Sequence, residues 1–283
     1  LFEREQVTAS AGVPTVWLSL LQALGDAGPN PELAPGLRLV CGGAAAHESM
    51  IRAYDRLGLR VVHGWGMTET SPVGTVNYVK RELQHLNADE RCALQVRQGV
   101  PLPFFEIRAV GAAGVAPWDG ATFGELQVRG PWVASAYYRP EDAVAQWTDD
   151  GWFRTGDIVT VDPHGYVRIV DRTKDLVKSG GEWISSLEVE NALMAHAAVQ
   201  EAAVIGVPHA RWGERPLAIV VPKPGASVTP DDLRGHLALR VARHCVPDDF
   251  VFVGEIPRTA TGKMLKTSLR ERYGDYYGGA SAG

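Results

Sequence analysis

The sequence changes texture twice along its length, and that succession bounds the fold more tightly than any single motif. Residues 13–24 read as a helix with Leu20, Leu21 and Leu24 on one face, ended by Gly28-Pro29-Asn30-Pro31. Residues 37–40 form a short apolar run that stops at Gly42-Gly43, as a strand entering a tight turn does. A second helix over 48–57 and a second strand over 60–62 follow. Strand, turn, helix, strand is a βαβ-like unit of an α/β domain, where ligands lie at loops beyond the strand ends. The loop over residues 63–71 is therefore the first place to look for chemistry.

From residue 99 to 170 short apolar runs alternate with Gly and Pro: 105–110, 124–129, 152–158 and 166–170. This is β-rich texture, expected to form a small distorted barrel or sandwich, with a short helix over 141–147. A charged bridge over 171–178 ends it. Beyond the bridge, Ser185 with Glu188 makes a capping box before an amphipathic run to His196. Strands are expected over 199–207, 216–221 and 250–253. Thr229 with Asp232 caps a helix over 233–243 carrying Leu233, Leu237 and Val241, and a last helix covers 264–273. The expected fold class is α/β: a large-domain portion over 1–172 (α/β over 1–98, β-rich over 99–172), then a small α+β domain over 173–283.

Lysine and arginine number 28 against 33 aspartates and glutamates, a net charge of −5, which argues against a general nucleic-acid binder. The three cysteines, Cys41, Cys92 and Cys245, lie far apart with no CxxC pair, which fits a reducing, cytoplasmic compartment. No apolar run approaches the roughly 18 residues of a membrane span. Residues 1–7 lack the layout of a signal peptide, and a start at Leu1 in a mid-domain texture reads as the later part of a longer protein. No GxGxxG follows a strand, which disfavours a dinucleotide enzyme.

His63-Gly64-Trp65-Gly66-Met67-Thr68-Glu69-Thr70-Ser71-Pro72 is the most unusual segment. Its glycines let backbone approach a ligand, Trp65 offers a flat face suited to a purine, and Thr68 with Glu69 offers hard oxygens of the kind magnesium takes. Taken alone, it also reads as a turn with a buried aromatic. It is followed, in order, by Arg154-Thr155-Gly156-Asp157, Asp171-Arg172-Thr173-Lys174-Asp175, Ser179-Gly180-Gly181-Glu182-Trp183 and Pro257-Arg258-Thr259-Ala260-Thr261-Gly262-Lys263. This series resembles the adenylate-forming superfamily of acyl-CoA synthetases, luciferases and adenylation domains. Gly12-Val13-Pro14-Thr15-Val16-Trp17 and Tyr276-Tyr277-Gly278-Gly279 resemble its medium- and long-chain fatty-acyl-CoA synthetases.

The resemblance implies ATP or AMP, magnesium and CoA as cofactors and co-substrates, with a fatty acid as the acyl donor. It implies that Gly42, Gly43 and Ala44 lie on the adenine, within a nucleotide site that includes Gly64 and Gly66. Trp65 would pack on the base, Thr68 contact the α-phosphate, Glu69 hold magnesium and Asp157 accept the ribose hydroxyls. Arg172 would lie near ribose and phosphate, and Lys174 would be the domain hinge. Lys178, Gly180 and Gly181 would border the CoA tunnel, with Trp183 over tunnel or nucleotide. Lys263 would bridge substrate carboxylate and α-phosphate as charge develops. Trp17, Leu18 and Val73 would line the acyl site. Each residue alone has an ordinary reading as well: helix core for Trp17, Leu18 and Val73, a turn residue for Asp157, a surface ion pair for Arg172, an exposed lysine for Lys263.

One departure stands out. The family's Ser/Thr/Gly-rich loop ending in Lys, which cradles the outer phosphates, has no match here, so these residues alone are expected to be inactive. Two rival readings stay open: a fatty-acyl-AMP ligase that acylates a carrier protein, and a non-catalytic binding module. Acyl chain length, peripheral membrane contact and a homodimer are left open too.

Overall fold

The computed structural model describes residues 2–26, 33, 36–139, 146–259 and 264–278. It divides into two compact units, Leu1–Ile169 and Val170–Gly283. The division falls inside a strand, a few residues before the 172/173 boundary read from the sequence.

The first unit opens with β1 (Ala9–Gly12), α1 (Pro14–Asp26), β2 (Arg38–Cys41), α2 (Glu48–Arg56), β3 (Arg60–Trp65), β4 (Thr75–Val76), α3 (Ala88–Gln95) and β5 (Val100–Pro101). These strands form one sheet in the order β1-β2-β3-β4-β5, with β1, β2 and β3 parallel and β4 and β5 antiparallel. The βαβ unit read from the sequence is β2-α2-β3, in register from Arg38 opposite Arg60 to Cys41 opposite His63. Its second strand is longer than the expected 60–62. His63, Gly64 and Trp65 belong to β3 because β4 continues the ladder, with Gly64 opposite Val76 and Trp65 opposite Thr75. Two further elements, β1 and α3, carry weak apolar signals. The α3 helix is set by an Asn87 cap, whose side chain accepts from the Asp89 and Glu90 amides while Glu90 reaches back.

A second sheet contains β6 (Glu106–Gly111), β7 (Gly114–Val115), β8 (Phe123–Arg129), β9 (Phe153–Val161) and β10 (Val167–Arg172), in the order β10-β9-β8-β6-β7. In the segment expected as a barrel or sandwich the strands form a five-stranded sheet, whose β10 edge is bridged to the segment before β5 by the pair Gly99 and Val167. Its buried face collects Phe105, Ile107, Leu126, Val128, Phe153, Val159 and Val167 around Trp65. Of the helix expected over 141–147, residues 141–145 lie outside the described residues. Trp147 sits in an isolated bridge with Phe153.

The second unit contains β11 (Val177–Ser179), β12 (Glu182–Ile184), α4 (Ser186–Met194), β13 (Val199–His209), β14 (Gly213–Pro222), α5 (Pro230–Ala238), β15 (Asp249–Phe252) and α6 (Lys266–Tyr273). Its sheet runs β12-β11-β14-β13, with β15 parallel to β14. One face buries Val189, Leu193, Val204, Val220, Leu233 and Leu237 under α4 and α5. The other buries Ile205, Leu217, Ile219 and Leu269 under α6. Helix α5 stops five residues short of Arg243. The Arg240 and Val241 amides both fold back onto the Leu237 carbonyl, so Val241 reaches the core from a turn. No described helix is long and apolar enough to cross a membrane.

Candidate functional site

Parallel pairing carries the ends of β1, β2 and β3 to one edge of the sheet, the edge where open α/β sheets bind ligands. There the Gly42 amide donates to the Gly12 carbonyl at 3.2 Å, and Gly43 turns the chain at φ 79° toward Ala44. Two residues on, the Ala46 amide donates to His63 Nε2 at 3.4 Å, while His63 Nδ1 donates to the Val96 carbonyl at 3.0 Å. His63 is buried, and burial pulls its pKa down to about 4. It is a neutral strut that ties the glycine turn to the end of α3.

After β3 the chain doubles back tightly. A Cβ at Gly66 would stand 1.8 Å from the Pro72 carbonyl oxygen, so no larger residue fits. Thr70, fully buried, closes the turn: its Oγ1 accepts from the Met67 amide at 2.9 Å and donates to the Pro72 carbonyl at 3.0 Å. This leaves Thr68 exposed and Glu69 half-buried. The Glu69 carbonyl accepts from the Ala134 amide at 2.8 Å, and its Oε1 accepts from the Tyr137 hydroxyl at 2.6 Å. Burial and the Glu69 carboxylate push the Tyr137 pKa up to about 12, so the phenol is a donor at any physiological pH. Tyr137, 68 residues away in sequence, carries no signal that would have selected it.

Asp157 sits at a break in the β8–β9 ladder. Glu125 pairs with Ile158 and Gln127 with Arg154, so Thr155, Gly156 and Asp157 together oppose Leu126. Such a bulge re-aims a side chain. Gly156, at φ 72°, supplies the left-handed residue, and Thr155 Oγ1 donates to the Leu126 carbonyl at 2.8 Å. The Asp157 carboxylate, 3% exposed, accepts from Trp65 Nε1 at 2.7 Å. The resemblance places Trp65 on the base. Trp65 is 7% exposed and packed into the core of the second sheet, edge-on to Phe105 at 6.5 Å.

The residues expected at the acyl site separate. Trp17 is 1% exposed among Leu37, Met50 and Tyr54, with Nε1 donating to the Val40 carbonyl at 3.1 Å, so the structure gives it to the core. Leu18 is 42% exposed, and Val73 is half-buried with its carbonyl bonded to Trp132 Nε1.

In the second unit Gly180 and Gly181 make the β11–β12 turn, both at positive φ. A Cβ on Gly180 would stand 2.8 Å from the Trp212 ring. Lys178 lies over the exposed Trp183 ring at 4.8 Å, so Trp183 is a surface residue rather than a core one. Arg172, the last residue of β10, and Lys174, in the turn after it, are exposed, and Arg270 donates to the Lys174 carbonyl at 3.1 Å. Lys263 lies outside the described residues. Among the described residues no group of three or more His, Cys, Asp or Glu side chains could hold a metal ion.

The sequence signature of AMP-binding enzymes matches residues 1–138, and that of the AMP-binding enzyme C-terminal domain matches residues 188–263. The chain belongs to this adenylate-forming family. Within it, the chain is 50% identical over 283 residues, 99% of its length, to a long-chain-fatty-acid–CoA ligase of Thermus thermophilus, covering 52% of that protein. It is 43% identical over 97% of its length to a medium-chain-fatty-acid–CoA ligase of Ectopseudomonas oleovorans, covering 50% of it. Among solved structures, ATP-bound MatB from Rhodopseudomonas palustris superposes with a TM-score of 0.82 at 33% identity, over 95% of this chain and 52% of that one. The chain thus spans about half the length of the curated relatives it matches.

Proposed function

We propose that the protein carrying this chain is an ATP-dependent fatty-acid–CoA ligase. A fatty carboxylate oxygen attacks the α-phosphorus of ATP, and the bond to the leaving pyrophosphate breaks, giving an acyl-adenylate. The CoA thiolate then attacks the acyl carbonyl and AMP departs. The observation that carries this reading is the 50% identity to a long-chain-fatty-acid–CoA ligase across nearly the whole chain.

In this proposal the glycine turn of Gly42, Gly43 and Ala44, with Gly64 and Gly66, forms the nucleotide's bed. Asp157 takes the ribose hydroxyls, Thr68 the α-phosphate, and Arg172 is assigned to ribose and phosphate as a cation. Lys263 offsets charge as the carboxylate attacks. Lys174 is the hinge, and Lys178, Gly180, Gly181 and Trp183 border the CoA path. Leu18 and Val73 remain candidates for the acyl wall.

Glu69 fits magnesium. A single carboxylate suits an ion that keeps waters and binds phosphate oxygens. The ion would neutralise phosphate charge, while Tyr137 holds the Glu69 carboxylate in place. The buried, unpaired thiols of Cys41, Cys92 and Cys245 support a reducing, cytoplasmic setting.

The test separates the half-reactions in the protein that carries this chain. Lys263→Ala is expected to slow acid-dependent ATP–pyrophosphate exchange far more than CoA attack on preformed acyl-adenylate. Gly181→Leu is expected to block thioester formation and spare exchange. Acylation of a carrier protein with no reaction toward CoA would overturn the assignment of the acceptor, and absence of acid-dependent exchange in the wild type would overturn the whole reading.

A further inference from the structure

We propose that Arg215 is a positioning residue for thioester formation: from β14 it clamps Ser179, and with it the Gly180-Gly181 turn, in the place that the CoA path requires. The inference rests on the proposed function, which puts that turn beside CoA, and adds a residue that does not itself touch CoA.

The turn needs an external hold. It joins β11 to β12, a hairpin of three residue pairs, through two glycines at φ 60° and 91°. Glycine loses more conformational freedom on ordering than any other residue, and a lone two-stranded hairpin is marginal in water. The ladder from β11 to β14 is a single pair, Ser179 opposite Gly213. Three hydrogen bonds supply the rest. The Gly180 amide donates to the Trp212 carbonyl at 2.8 Å, the Lys178 amide donates to Glu214 Oε2 at 2.8 Å, and Arg215 Nη1 donates to Ser179 Oγ at 3.1 Å. The last joins two buried side chains at the base of the turn.

Arg215 is itself held. Nε and Nη2 donate to the two carboxylate oxygens of Asp248, each at 2.7 Å, a fork that fixes the guanidinium plane. Nη1 and Nη2 also donate to the His244 and Val246 carbonyls, at 2.9 and 3.0 Å. With Ser179 this engages all five N–H donors of a residue that is 9% exposed. An arginine near a CoA path invites the reading of a phosphate contact, but here no donor is left for a phosphate. The guanidinium instead joins the end of β11 to β14 and to the segment before β15. The turn is therefore carried by the sheet and not by its own two glycines.

The experiment measures the two half-reactions separately in the protein that carries this chain. Ser179→Ala removes the acceptor and leaves the Arg215–Asp248 fork in place. It is expected to raise the KM for CoA about tenfold, the effect of losing one hydrogen bond to a charged group, while ATP–pyrophosphate exchange and the KM for fatty acid stay put. Arg215→Lys keeps the charge without the fork and is expected to raise the KM for CoA in the same way. Ser179→Ala in that background is expected to add nothing, because both act through one hydrogen bond. A merely structural arginine would lower both half-reactions and the urea midpoint together, with no coupling to Ser179. Should Arg215→Lys fail to fold, Asp248→Asn, on the more exposed side of the pair, breaks one arm of the fork and takes its place in the cycle. An unchanged KM for CoA in Ser179→Ala, equal losses in both half-reactions, or losses that add across the cycle overturn the role of Arg215 alone. A wild-type protein that exchanges pyrophosphate but forms no CoA thioester overturns the proposed acceptor and this inference with it.

Discussion

His63 shows how a residue that resembles a catalytic group is held as a neutral spacer. Its proton sits on Nδ1, facing the Val96 carbonyl, and Nε2 accepts from the Ala46 amide. Burial holds its pKa at about 4, below the ordinary value of 6.5. Above pH 6.5 the ring is neutral whether the chain is folded or not. Between 6.5 and 4 only the unfolded chain takes up the proton, so stability is lost as the pH falls through that window, by about 3 kcal/mol. His63→Gln, with an amide that can both donate and accept, is expected to flatten that part of the profile. Urea denaturation from pH 4 to 7.5 measures it, and equal slopes in the two proteins would refute the assignment. Tyr137 acts on Glu69. Tyr137→Phe removes the hydrogen bond to Glu69 and is expected to raise the magnesium concentration for half-maximal activity about fivefold, the equivalent of about 1 kcal/mol. A metal titration of the activity reads it directly.

Among the elements, α6 fastens the start of the second unit. Lys266 and Arg270 stand one turn apart on it. Lys266 Nζ donates to Glu190 Oε1 at 2.6 Å and to Ser186 Oγ at 2.7 Å, while Arg270 pairs with Asp175 at 2.5 Å. Asp171 in turn accepts from the Ser186 amide and so caps α4. One helix therefore fastens Lys174 and its neighbours to the second unit, three residues after Lys263. Burial raises the Glu190 pKa even beside Lys266, so losing the lysine strands a buried carboxylate. Lys266→Ala is expected to cost about 3–5 kcal/mol, and Lys266→Met combined with Glu190→Gln to restore most of it. Chemical denaturation of the two variants checks this; equal losses would show that helix propensity, not the buried pair, was responsible.

For the whole molecule, the consequence of the chain's texture is energetic separation. Trp17, Leu37, Met50 and Tyr54 form the core of one cluster in the first unit, and Val189, Leu193, Val204 and Leu237 form that of another in the second. Units with their own apolar cores unfold as separate cooperative blocks. Scanning calorimetry is expected to resolve two transitions. Lys266→Ala should lower one and leave the other in place, and a shift of both would contradict the separation.

The succession of α/β, β-rich and α+β segments was legible because it rests on local periodicity and punctuation. The β2-α2-β3 unit, the Thr229 cap and the small-domain strands all follow from residues within a few positions of one another. The family, too, was legible, since its motifs are short and come in a fixed order. Pairings over long separations were not. The length of β3 depends on β4, and the order of the second sheet depends on which strands find partners. Trp17 carries the same apolar signal whether it lines a pocket or fills a core. Only the packed chain shows that Trp65 gives its N–H to Asp157 and that Tyr137 holds Glu69. The physical reason is one of range: propensity and capping are decided within a turn or two, whereas a buried hydrogen bond is decided by which distant side chain packing brings within 3 Å.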